Sequence, residues 1–65
     1  MSISERIAAW MEAEGLTYVK AAHRLGCQPS TVYSWVAKGV EPRGLYAEKV
    51  ERVLRAWERA NVSAD

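Results

Sequence analysis

Few side chains in this 65-residue chain can do chemistry, and most of them fall in one stretch. The only histidine is His23 and the only cysteine is Cys27. One of each does not build a metal site, and Cys27 has no partner for an intramolecular disulfide. There is no glycine-rich phosphate loop and no pair of carboxylates placed to share a cleft. The chain is also small for an enclosed active site. The expectation is a protein that is not an enzyme and takes no metal, cofactor or small-molecule ligand. What remains is the chemistry of recognition. Between Thr17 and Lys38 stand the amide of Gln28, the hydroxyls of Ser30, Tyr33 and Ser34, and the cations Lys20, Arg24 and Lys38, with no carboxylate among them. A surface carrying such groups attracts a polyanion, and a carboxylate on it would repel one.

The elements that hold these groups follow from spacing. Thr17 is a suitable N-cap, and Val19, Ala22 and Leu25 fall near one helical face. Gly26 can take a positive φ and end that helix abruptly, with the turn at Leu25-Gly26-Cys27. Pro29 suits the first position of a new helix capped by Gln28, in which Val32, Trp35 and Val36 form the inward face. Gly39 ends it after Lys38. The stretch therefore predicts a helix-turn-helix, and the small Ala21-Ala22 pair lets the two helices pack closely. Ser30, Tyr33 and Ser34 lie opposite the apolar face. Lys20, His23 and Arg24 fall on the polar side of the preceding helix.

The flanks supply the rest of a core. Ser2 and Glu5 have the spacing of a capping box, with Ser4 as a competing cap. Ile3, Ile7, Trp10 and Met11 then make a stripe, and Gly15 stops the helix. Val40-Glu41-Pro42-Arg43-Gly44 reads as a turn connection. The last helix is predicted from Leu45 to Asn61, with Tyr46, Val50, Val53, Leu54 and Trp57 on its apolar face. Glu48 with Arg52, and Glu51 with Arg55, have favourable i, i+4 order on the other. The fold class expected is all-α, of four short helices, or five if the loop after Gly39 adds a turn. One domain spans residues 1–61, and residues 62–65 form a frayed tail.

The bulk numbers agree. The composition is 49% hydrophobic and 26% charged, that of a folded domain rather than a disordered tail. No apolar run approaches the roughly 18 residues of a membrane span, so no membrane partner is expected. A lone cysteine suits a reducing cytoplasm. The net charge of +1 is modest, but its distribution is uneven. Residues 1–16 set Glu5, Glu12 and Glu14 against Arg6, a balance of −2, whereas residues 17–40 carry +3 with no acid.

The helix-turn-helix resembles that of phage Cro and repressor proteins, the lambda-repressor-like family. The matching residues are Ala22, Leu25-Gly26, Ser30-Thr31-Val32, Trp35 and Ala37-Lys38-Gly39. A weaker similarity runs from Val40-Glu41-Pro42 through Tyr46 to Val50. The motif covers about a third of the chain. The resemblance implies double-stranded DNA as partner, with the third helix, residues 29–38, in the major groove. It places Thr17 and Tyr18 on a phosphate and makes Pro29, Ser30, Tyr33 and Ser34 base-reading positions. Tyr18 stands where the family more often has Gln, and the readers differ from its common Gln, Asn and Lys. Gln28 joins the readers on its own chemistry. Gln is not a favoured cap, and its long amide can bond an adenine edge bidentately. Lys38 and Arg43, on a loop that passes near the backbone, are further phosphate contacts, with Lys20 and Arg24 on the polar side.

The resemblance also implies a small cytoplasmic repressor, in a bacterial nucleoid or phage-infected cell, that binds an inverted-repeat operator as a homodimer. Trp57 with Leu54, towards the overshooting end of the long helix, is the expected subunit contact. Two other readings use the same residues. One is a different DNA-binding role, excisionase-like or antitoxin. The other is a protein-interaction module in which Tyr33 and Trp57 hold a protein partner.

Overall fold

The computed structural model describes residues 2–61, and the tail expected over residues 62–65 lies outside the described residues. Four helices follow one another: α1 (Ile3–Glu14), α2 (Tyr18–Leu25), α3 (Pro29–Ala37) and α4 (Gly44–Asn61). The described residues contain no strand and no fifth helix. The helix starts and stops follow the sequence signals closely. Ser2 is the cap of α1, and the capping box is complete. Its Oγ accepts from the Glu5 N–H at 3.2 Å, and its own N–H donates to Glu5 Oε1 at 2.8 Å. The bond from the Ser2 N–H to the charged carboxylate, helped by the nearby Ser2 hydroxyl, holds the Glu5 carboxyl below the usual range. Gly15 (φ 64°) and Gly26 (φ 73°) end α1 and α2 in the left-handed region. At each stop an amide beyond the glycine reaches back, Leu16 to the Met11 carbonyl at 2.8 Å and Cys27 to the Ala22 carbonyl at 3.0 Å. A carbonyl in the last turn of each helix is thereby satisfied.

The core forms where the four inward stripes meet. Ile7, Trp10 and Met11 of α1, Ala21, Ala22 and Leu25 of α2, Val32 and Trp35 of α3, and Val50 and Leu54 of α4 are buried together. Three expectations fail here. Val19 is 63% exposed, because Ala21 rather than Val19 completes the inward face of α2. A methyl side chain lets α3 approach α2 more closely than an isopropyl group would. Tyr46 is half exposed, although its ring lies edge-on to Trp35 with centroids 5.9 Å apart. Leu54 has no exposed surface, so it belongs to the monomer's core and cannot contact a second subunit. Trp57 packs partly buried against the same core.

Two polar ties fix α1 against the rest. Ser4 is buried rather than capping, and its hydroxyl lies within bonding distance of the Val40 carbonyl (3.3 Å) and Glu41 Oε2 (3.2 Å). This turns Glu41 away from the cations of its loop. The second tie is stronger. The Arg6 guanidinium forks onto two carboxylates of α4. Nη1 donates to both oxygens of Glu51 (2.8 and 2.9 Å), while Nε and Nη2 donate to the two oxygens of Glu58 (both 2.8 Å). Planar guanidinium and carboxylate groups match in this way at little further entropic cost. Glu51 also accepts from Arg55 Nε at 3.3 Å, the expected i, i+4 pair. Among the described residues Glu48 and Arg52 form no such pair.

The bonds from Arg6 hold both glutamates below the usual carboxylate range, and the glutamates raise the Arg6 pKa in return. Glu51 and Glu58 thus bind protons less readily folded than unfolded. Their stabilising contribution is complete above the ordinary glutamate pKa, near 4.3, and is lost as pH falls through the lower folded values. Arg6→Met should cost about 1–2 kcal/mol at neutral pH. Urea unfolding between pH 7 and pH 3 should then show a shallower acid loss in the variant than in the wild type; parallel curves would contradict the role given to the fork. Leu54→Ala should destabilise the monomer by about 2–5 kcal/mol in the same assay. A loss of self-association at unchanged monomer stability would return Leu54 to a subunit interface.

Candidate nucleic-acid interface

Burial of Val32 and Trp35 fixes the rotation of α3 about its axis and decides which side chains face out. Gln28, Pro29, Ser30 and Tyr33 are exposed along its outer side. Gln28 caps the helix through its backbone alone. Its carbonyl accepts from Thr31 (3.0 Å) and Val32 (3.3 Å), and its side chain makes no capping bond. Ser, Thr, Asp or Asn there would commit a side-chain oxygen to the helix. The Gln28 amide keeps its donors and acceptor. Ser34 is less available than its spacing suggests. It is half-buried, and its hydroxyl donates to the Ser30 carbonyl at 3.1 Å.

The N-terminal end of α2 abuts this face. Thr17 caps α2, accepting from the Lys20 N–H at 3.2 Å, which leaves its hydroxyl proton for an outside acceptor. The amides of the first turn face an end where the helix dipole favours an anion. Tyr18 meets Tyr33 edge to face, with centroids 5.5 Å apart and planes at 80°. The two rings link the start of α2 to the middle of α3 and leave both residues exposed. The sequence reading placed each tyrosine correctly on the surface but missed their contact. The signal is weak, since it depends on how far apart the two helices sit.

Lys20 and Arg24 sit one turn apart on α2. With Val19, His23, Cys27 and Pro29 they line a groove of about 440 Å³ beside the start of α3. The Cys27 thiol in this groove is half-buried, and burial pushes its pKa up, against a smaller opposing pull from Lys49. It is therefore a weak nucleophile. Arg24 is not free. Its Nη1 lies 3.6 Å from Glu14 Oε1, so the acidic end of α1 partly offsets this edge of the basic surface. Lys38, the C-cap of α3, and Arg43, in the following loop, are exposed at the other end. Of the expected residues, Thr17, Tyr18, Lys20, Arg24, Gln28, Pro29, Ser30, Tyr33, Lys38 and Arg43 are exposed, and Ser34 is half-buried. Among the described residues no group of three or more His, Cys, Asp or Glu side chains is placed to hold a metal, and no helix is long and apolar enough to cross a membrane.

A compact helical unit presenting an uncommitted polar helix face between cations defines a helix-turn-helix DNA-binding module. The family model of the homeodomain-like domain matches residues 1–47, and the chain belongs to that helix-turn-helix family. The match takes in α1 to α3 and the first residues of α4. It supports the helix-turn-helix reading, whereas the narrower likeness to phage Cro and repressor proteins is a matter of proposal. No curated protein and no solved structure matches the chain.

Glu14→Gln should release Arg24 and remove an anion beside the basic edge. Binding to non-specific duplex at low salt should strengthen by about two- to fivefold, with the gain shrinking as salt rises. Fluorescence anisotropy reads both effects; unchanged affinity would place Arg24 off the interface.

Proposed function

We propose that the protein reads specific sequences in double-stranded DNA and represses transcription, with α3 in the major groove. The observation that carries this reading is the outer face of α3. Gln28, Pro29, Ser30 and Tyr33 are exposed there, and the Gln28 amide makes no capping bond. The groove presents each base pair as a distinct pattern of donors and acceptors. Gln28 supplies a bidentate amide for an adenine edge. Ser30 donates or accepts, and the Tyr33 ring offers apolar contact to a thymine methyl. Thr17, Tyr18, Lys20, Lys38 and Arg43 set the register on the phosphates, and Arg24 joins them once Glu14 yields. The protein binds rather than catalyses, and it uses no cofactor.

The small repressor role follows from the likeness of Thr17 to Lys38 to the Cro and repressor motif. On that reading a homodimer sets two copies of α3 in successive major grooves, about 34 Å apart on an inverted repeat. Occupancy then blocks polymerase at an overlapping promoter, in the cytoplasm of a bacterial or phage-infected cell. Regulation comes from concentration and operator affinity.

Two substitutions separate reading from attraction. Gln28→Ala should cost about 1–3 kcal/mol on the preferred site and relax one base position. Lys38→Ala should weaken binding to every sequence and lower the salt slope by about one. Affinity that is flat with salt and untouched by either change would instead mark a protein-binding module, with the exposed Tyr33 as its anchor.

A further inference from the structure

The outward side of α4 carries charge that the fold uses only in part: Arg55 pairs with Glu51, while among the described residues Glu48 and Arg52 form no ion pair. Glu48, Arg52 and Arg55 lie opposite Val50 and Leu54, and Ala47 and Ala56 border them. With Ile3 of α1, Glu51 and Arg59, these residues line a shallow depression of about 680 Å³, to which neither α2 nor α3 contributes. Between Ala47 and Ala56 the outward residues follow a mirrored order, and Arg59 lies beyond it. About a point between Glu51 and Arg52, Glu48 reflects onto Arg55 and Ala47 onto Ala56.

We infer that this face of α4 docks a second copy of the chain, with the two helices antiparallel about a two-fold axis passing between Glu51 and Arg52. A two-fold interface must be self-complementary. Here the mirrored order sets Glu48 against Arg55 of the second copy and Arg55 against its Glu48. Glu51 and Arg52 exchange in the same way at the axis. Among the described residues Glu48 and Arg52 form no ion pair, so each has its charge available. Glu51, already held by Arg6, is a fixed acceptor. The mixture of signs disfavours nucleic acid as the occupant. Contacts that rest on exposed ion pairs make a weak, salt-sensitive dimer. Its assembly leaves both DNA-facing helices uncovered. The inference supplies the subunit contact for the proposed dimeric repressor and moves it from Trp57 and Leu54 to the opposite side of α4.

Sedimentation equilibrium of the full chain at low salt, without DNA, tests it. The wild type should self-associate reversibly and dissociate as salt rises. Glu48→Arg and Arg55→Glu should each raise the dissociation constant by about tenfold, since each sets like charges across the axis twice. The doubly substituted chain, E48R with R55E, should recover association because both pairs are restored with reversed sign. Circular dichroism should show the same helix content in all four proteins. A monomeric wild type, or a double variant no better than the singles, overturns the interface. Binding of a half-site duplex, read separately, keeps the two questions apart. DNA binding by a chain that never self-associates defeats the interface alone, and rescue by the double variant without DNA binding defeats the DNA reading alone.

Discussion

The structure depends on the burial of Val32 and Trp35 against the small face that Ala21 and Ala22 present. That contact sets both the distance between α2 and α3 and the rotation of α3. A helix has one rotational freedom that matters for recognition, and the two inward side chains remove it. Once they are buried, helical periodicity alone turns Gln28, Ser30 and Tyr33 outward. Bulkier side chains at 21 and 22 would push α3 away, separating Tyr18 from Tyr33 and the phosphate-facing start of α2 from the base-facing side of α3.

The remaining helices brace this pair. A chain of this size buries little, so each fixed contact is a large share of its stability. Val50 and Leu54 close the core from α4, and the Arg6 fork joins α1 to two glutamates about two turns apart on the same helix. Ser4 ties the loop after α3 back to the start of α1. Both ties lie away from the outer side of α3. On that outer side the Gln28 amide makes no capping bond, whereas Ser34 bonds back to Ser30 and Arg24 pairs with Glu14 beside it.

Most of the fold was legible in the sequence because its signals are local. Ser2 with Glu5, Thr17, Gly15, Gly26 and Pro29 each specify a helix end through bonds within a few residues. What escaped depends on distances between elements. Val19 fits the apolar period of α2 as well as Ala21 does, and only the closeness of α3 decides between them. Leu54 and Trp57 look alike on a helical wheel, yet one is sealed in the core and the other lies at its edge. The Arg6 fork had a faint trace: a single base in an acidic first helix, and two acids seven residues apart on the last. Of the candidate site, the outer residues of α3 were legible because an amphipathic helix declares its faces. The pairing of Arg24 with Glu14 was not, since nothing in the spacing says that the end of α1 reaches α2.

The account claims that an outward face fixed by Val32 and Trp35 reads base pairs. The most direct measurement is selection of bound sequences from randomised duplex DNA at two salt concentrations. The account predicts enrichment of a short half-site that survives at the higher salt, repeated in inverted order with centres about 10 base pairs apart. Uniform recovery of all sequences, with binding that disappears as salt rises, would leave only the attraction of Lys20, Lys38 and Arg43 for phosphate and would contradict it.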